Sequence, residues 1–255
     1  MEGPSLIILR EELEPFVGKK IKLASGSSKI DQQKMTGQKI RAFNSWGKHF
    51  LIVLQGFSVR IHFLMFGSYR INERKETEPR LRLEFDDGQE IGFYTTAVTM
   101  IEQDLDEVYD WSADVMNDAW DPAKARKKLK KVPDMNVGDA LLDQNIFSGV
   151  GNIIKNEVLF RIHIHPENKV GSLPPRKLTE LISQARIYSF DFYEWKKIYQ
   201  LRKHWLIHTK LSCPRCKIPS YKKYTGLKKR RSFFCTNCQV LYQVPLNSRR
   251  NKKSL

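Results

Sequence analysis

Acid is scarce in this chain: 28 Asp and Glu stand against 44 Lys and Arg, leaving a formal net charge of +16. So large a cationic excess points to a polyanionic partner, with nucleic acid ahead of a membrane surface. A merely soluble basic protein is the plainer alternative. Long apolar runs are missing too. The longest, residues 6–9 and 50–54, fall far short of the roughly 20 residues a bilayer-crossing helix needs, so no membrane attachment is expected. Met1-Glu2-Gly3-Pro4 has no basic stretch ahead of an apolar one, and no secretory leader is expected. No cysteine precedes Cys213, which excludes a disulfide framework and a cysteine nucleophile over most of the chain. With its thiols paired, the protein is expected in a reducing cytoplasm. Internal repeats and low-complexity segments are absent.

What is present starts with those thiols. Cys213-Pro-Arg-Cys216 and Cys235-Thr-Asn-Cys238 are two C-x-x-C knuckles separated by 18 residues. Two such pairs can set four thiolates tetrahedrally around one structural Zn²⁺, and the segment between them is long enough for a β-hairpin. A redox dithiol or disulfides are the competing readings. The hairpin carries Lys222, Lys223, Lys228, Lys229, Arg230 and Arg231, a charge load suited to phosphates.

The pattern along the chain predicts an α+β protein of several domains. Leu6, Ile7, Leu9, Leu13 and Phe16 support a leading amphipathic helix that Gly18 stops. Short strands are expected at residues 39–43, 49–54, 58–63, 68–72, 80–85 and 90–94, with Asp87-Gly88 as a type I′ hairpin turn. Together they suggest an antiparallel β-sandwich over residues 1–105. Helices are expected at 122–131, 137–143, 152–160, 178–188 and 195–205, making a helical domain of 106–209. A zinc hairpin of 210–245 and a basic tail of 246–255 follow.

Gly149-Val150-Gly151-Asn152 opens one of those helices. Two glycines let backbone approach a ligand closely, and the unpaired amides of the helix start favour a phosphate, with the Asn152 side chain as an added donor. Taken alone, this pattern is more often plain turn chemistry. His163, His165, His204 and His208 read as structural or phosphate-facing, the last two on one helix. Residues 124–131 read as a solvated basic face.

Leu141-Leu-Asp-Gln-Asn145, Gly149-Val-Gly-Asn152, Glu157-Val-Leu-Phe-Arg161 and His165-Pro-Glu167 resemble the helix–two-turn–helix segment of the formamidopyrimidine-DNA glycosylase/endonuclease VIII family. Glu2-Gly3-Pro4 resembles its catalytic start, Trp46-Gly47-Lys48 its β-strand lysine motif, and the cysteine hairpin its zinc finger. The four motifs fall in the family's order across nearly the whole chain.

The resemblance implies a monomeric base-excision-repair DNA glycosylase with AP lyase activity, acting on double-stranded DNA with oxidised bases or abasic sites. An N-terminal amine would attack C1′ of a flipped-out nucleotide and form a Schiff base. That amine belongs to Met1 here, whereas the family's usual mature start is Pro-Glu-Gly-Pro; methionine is trimmed before small residues, so Met1 is expected to persist ahead of Glu2. By resemblance Glu2 protonates the sugar ring oxygen and Lys48 contacts a phosphate beside the lesion. Leu64, Met65 and Phe66, before a glycine turn between two strands, would fill the vacated stack. Arg230, or the adjacent Arg231, would be the finger-tip arginine. The Arg-Arg-Phe-Gly-type loop of the purine-directed branch has no counterpart in residues 94–102, which favours oxidised pyrimidines. Met1 and Ser5, where relatives often carry glutamate, leave room for a weakened or inactive damaged-DNA binder. An RNA-associated zinc-ribbon protein is the reading from another class.

Overall fold

A computed structural model describes residues 1–242, so the basic tail at 246–255 and the last residues of the zinc hairpin lie outside the described residues. The chain divides into two compact units, Met1–Trp111 and the part from Ser112 on.

The first unit begins with α1 (Gly3–Leu13), which has proline in its first turn, where an amide donor is not needed. Leu6, Leu9 and Leu13 repeat at helical spacing and are fully buried, and Gly18 at φ 83 turns the chain away after a short 3-10 turn. Six antiparallel strands follow: β1 (Ile21–Ser25), β2 (Ala42–Trp46), β3 (His49–Val53), β4 (Ser58–Ile71), β5 (Leu81–Phe85) and β6 (Glu90–Ile101). They form one hydrogen-bonded sheet in the order β1-β5-β6-β4-β3-β2.

Two strands make that sheet into a sandwich. The first half of β4 pairs with β3 and with the second half of β6, while the second half of β4 pairs with the first half of β6, which also holds β5. A bulge between the halves of β4 interrupts the register between Phe63 and Ser68. Both halves and α1 bury one shared core, in which Phe50 of β3 meets Phe93 of β6 at 6.1 Å.

Several sequence expectations are corrected here. The expected strands at 58–63 and 68–72 are one strand, because the apolar run between them bulges outward without ending the ladder. β2 starts later than residue 39 and carries the polar Asn44 and Ser45, and β1 went unseen because only two of its five positions face the core strictly. The Asp87-Gly88 turn is not type I′, which needs positive φ at two positions. Only Gly88 has it (φ 81), and the Phe85 and Gln89 backbones close a three-residue loop of the type I plus G1-bulge kind.

The second unit is helical: α3 (Pro122–Lys130), α4 (Val137–Leu141), α5 (Asn152–Arg161) and α6 (Pro175–Lys197), the short α2 (Leu105–Val108) belonging to the first unit. Asp121 and Asn136 cap α3 and α4 through their side chains. The 23 residues of α6 absorb the expected 178–188 helix and stop at Lys197. A 3-10 turn at Leu201–His204 replaces the rest of the expected 195–205 helix, so His204 and His208 share no helix. Strands β7 (Tyr221–Thr225) and β8 (Arg230–Phe234) form the hairpin between the cysteine pairs. No helix among the described residues is long and apolar enough to cross a membrane.

Candidate active site and nucleic-acid interface

In the first unit, Glu2 is the N-cap residue of α1, with extended backbone and a carbonyl that accepts from Ser5 N–H at 2.9 Å. Its carboxylate does not cap the helix. Gly3, Pro4 and Ser5 are buried behind it, so a rigid, packed helix start mounts Met1 and Glu2 at the surface.

Lys48 lies in the two-residue turn joining β2 to β3, not within a strand as its motif suggested, and Gly47 supplies φ 54 for the tight reversal. Aromatic and imidazole groups brace this turn. Trp46 packs against the Tyr109 ring, tilted, at 5.0 Å and donates Nε1–H to the Asp110 carbonyl at 3.0 Å. His62 on β4 donates from Nδ1 to the Lys48 carbonyl at 3.1 Å, and its ring meets His49 edge-on at 5.3 Å. Burial, reinforced by Arg60, His62 and Lys48, pushes His49 down to about 4. His49 is therefore neutral beside Lys48 at physiological pH. Sequence reasoning missed His49, His62 and Tyr109; the alternation of β3 and β4 was the available signal, since it puts His49 and His62 directly opposite each other.

Leu64, Met65 and Phe66 form the bulge in β4, not a turn between two strands. They are 46, 82 and 81% exposed in a strand whose neighbouring Phe63 is buried. The bulge is built, not frayed. A Cβ at Gly67 would stand 2.9 Å from the Leu64 amide, the Phe63 Cβ and the Thr95 carbonyl, so only glycine closes it. Thr95, opposite, takes φ 52. Three exposed apolar side chains on a fixed backbone have the form of a wedge. Apart from the irregularity at Thr95, residues 94–101 continue β6 as strand, with no loop there to carry an Arg-Arg-Phe-Gly motif.

In the second unit, Gly149 has φ 95 and Gly151 is the extended N-cap of α5, as the glycine turn required. Gln144 holds the turn, accepting from Gly149 N–H at 3.1 Å and donating to the Leu142 carbonyl at 3.0 Å. Asn152 opens α5, and its Oδ1 is buried without a protein partner. The three residues that follow Ile154 are polar and buried. Lys155 donates to the Arg231 carbonyl at 3.2 Å and to Ser232 Oγ at 2.9 Å. Asn156 accepts from Phe233 N–H at 3.3 Å and donates to His208 Nδ1 at 3.0 Å. Since Phe233 fixes the amide's orientation, His208 Nδ1 accepts and the ring is neutral; burial, then Lys155 and Arg231, pushes its pKa down to about 4. Glu157 accepts from the amides of Leu206, Ile207 and His208 at 2.8–2.9 Å. These contacts bind the hairpin to α5, and His165 packs edge-on against Phe234 at 4.6 Å. His165 and His208 thus serve structure.

The four cysteine sulfurs lie within 4.8 Å of one another and none is in a disulfide. A tetrahedral tetrathiolate zinc, with Zn–S of about 2.3 Å, has sulfur–sulfur edges of about 3.8 Å. The Cys213–Cys238 sulfurs are 3.8 Å apart. The donor set and its size fit such an ion, with Cys216 N–H and Asn237 Nδ2 pointing at the sulfurs as outer donors. At the hairpin tip Arg231 lies over the Tyr224 ring at 5.7 Å and donates to its hydroxyl at 3.2 Å. Arg230 is exposed and, among the described residues, makes no such side-chain contact.

Comparison with known proteins matches these two units separately. The model of the formamidopyrimidine-DNA glycosylase N-terminal domain covers residues 2–96, and that of its H2TH domain covers residues 111–187. Endonuclease 8-like 3 of Xenopus laevis is 31% identical over 229 residues, 85% of this chain and 37% of that protein. The DNA-(apurinic or apyrimidinic site) lyase Nei2 of Mycolicibacterium smegmatis is 32% identical over 143 residues, 54% of this chain and 57% of that one. The chain spans 21–38% of the length of the vertebrate endonuclease 8-like 3 relatives it matches. A viral DNA glycosylase superposes with a TM-score of 0.82 at 21% identity, covering 94% of this chain and 100% of that one. Lactococcus lactis formamidopyrimidine-DNA glycosylase bound to abasic-site DNA does so with 0.82 at 23% identity, covering 94% and 99%. At that identity the superpositions establish the shared fold. Both domain models, in order, and the endonuclease 8-like relatives lead to one assignment: the chain belongs to the formamidopyrimidine-DNA glycosylase/endonuclease VIII family, with an endonuclease VIII-like character.

Proposed function

We propose that this protein is a DNA glycosylase with AP lyase activity that removes oxidised bases, pyrimidines foremost, from double-stranded DNA and nicks the strand. The observation that carries this reading is the wedge: Leu64, Met65 and Phe66 exposed on a bulge that only Gly67 can close. Excision requires the nucleotide outside the stack, and a void left there needs an apolar filler on a stiff mount.

The chemistry falls to the start of α1. A free α-amine, with a reference pKa of about 8, retains a neutral fraction at physiological pH, and the α-amine of Met1 is the group that attacks C1′. The base departs with the glycosidic electron pair and takes up the proton that the attacking amine loses. Glu2 in its acid form then gives a proton to the ring oxygen as the C1′–oxygen bond breaks and the amine nitrogen forms the C=N bond. The resulting Schiff base acidifies the C2′ protons, so that loss of one expels the 3′ phosphate and cuts the strand. Lys48, on its braced turn, holds a phosphate beside the lesion. Asn152 with the Gly149–Gly151 turn, and Arg230 with Arg231, grip flanking phosphates.

Zinc is the proposed metal, held by Cys213, Cys216, Cys235 and Cys238. Bound there, it supplies no reaction chemistry, only closure of the hairpin base.

The test compares the wild-type protein with Glu2→Gln on duplexes carrying one oxidised pyrimidine. Removing a general acid typically costs about 10²–10⁴ in rate, so excision falls that far while affinity for the duplex holds. Equal excision by both proteins refutes the role of Glu2. A second reading, a binder without turnover, is favoured by Ser5, whose side chain is buried and which, by the family resemblance, stands in place of a glutamate. Tight binding to an abasic analogue, with no wild-type excision of any oxidised base, selects it.

A further inference from the structure

One carboxylate in the second unit has no part in the chemistry above. Asp139, on the short helix α4, is 5% exposed and faces the hairpin turn, residues 226–229, that leads into Arg230. Its carboxylate accepts from Leu227 N–H at 2.6 Å and from Lys228 N–H at 3.4 Å. Gly226, at φ 72, lies so close that a Cβ there would overlap the carboxylate. Lys228 adds a second tie by donating Nζ–H to the Leu142 carbonyl at 3.1 Å, at the end of the same helix. Four consecutive cations, Lys228 to Arg231, leave this turn. A buried anion beneath them offsets their mutual repulsion and fixes the backbone from which they project.

We propose that Asp139 is a positioning residue for DNA recognition: it clasps the hairpin turn to α4 and thereby sets where the Arg230 guanidinium stands relative to the glycine turn before α5. The inference rests on the finger-tip role given to Arg230 above. It assigns the fixing of the tip to a carboxylate as well as to the metal, because the four thiols close the base of the hairpin while Asp139 holds its far end. A carboxylate that binds two backbone amides and lies within a basic interface cannot itself be a DNA contact. Its effect on DNA must pass through the turn.

The experiment is a double-mutant cycle on the full chain. Affinity for a duplex with a tetrahydrofuran abasic analogue is measured for wild type, Asp139→Ala, Arg230→Ala and the double variant. Metal content and thermal midpoint are recorded for each. Asp139→Asn, which keeps an acceptor oxygen, is added in case the alanine variant does not fold. Losing hydrogen bonds to a charged acceptor predicts about a tenfold loss of affinity in Asp139→Ala, a raised KM with kcat held, and one metal retained per chain. The double variant should bind no more weakly than Arg230→Ala alone. Losses that add, or an unchanged Asp139→Ala and Asp139→Asn beside a weakened Arg230→Ala, overturn the proposal and leave the finger-tip reading standing. An unchanged Arg230→Ala overturns the finger-tip reading, and this proposal with it.

Discussion

Two histidines are held neutral among cationic side chains. His49 lies beside Lys48, Arg60 and His62, and His208 beside Lys155 and Arg231, and burial pushes both well below the ordinary 6.5, to about 4. Between those values the unfolded chain binds protons that the folded chain refuses. The stability this gives is complete above pH 6.5 and drains away as pH falls toward 4. Urea midpoints should therefore drop between pH 7 and pH 4.5, and His49→Gln with His208→Gln should flatten that drop. An equally steep drop in the double variant would contradict the assignment. The sequence reading took His208 as structural or phosphate-facing but passed over His49, which beside Lys48 reads as plain surface unless the alternation of β3 and β4 is used.

Among the elements, β4 and α5 mark how far sequence reading reached. The apolar triplet at residues 64–66 and the glycine after it were visible as a pattern. That they form a bulge inside one strand was not, because only the pairing with β6 reveals it. Since these side chains are exposed, replacing all three by alanine should leave the thermal midpoint nearly untouched, within about 0.5 kcal/mol per site. Excision from duplex DNA should fall at least about tenfold, with single-stranded substrate much less affected. Loss of folding instead would show that the triplet is core. In α5, the burial of Lys155, Asn156 and Glu157 went unread in the sequence. The surrounding Ile154, Val158, Leu159 and Phe160 were the missed signal, for a helix apolar on both sides of a polar triplet must bury it. Those three residues attach β8 and the segment after Trp205 to the helix, which is why the hairpin belongs to the helical unit. The cysteine spacing, by contrast, foretold the cluster directly. One zinc per chain is expected by metal analysis, and Cys235→Ser should lose both metal and DNA affinity. Full affinity in metal-free protein would count against a structural ion.

At the level of the whole molecule, order proved more informative than any single motif. Each of the four family motifs is ambiguous in isolation, yet their sequence placed a β unit before a helical unit and a cysteine hairpin, as observed. The excess charge of +16 agrees with a DNA partner but names no reaction. The reaction is a claim about one nitrogen. Borohydride reduction in the presence of abasic-site duplex, followed by mass spectrometry of the digested complex, tests it most directly. The account predicts a covalent protein–DNA adduct whose sugar remnant is attached to the α-amine of Met1. A reduced adduct on Lys48 or another lysine, or no adduct from protein that binds the same duplex tightly, would contradict it.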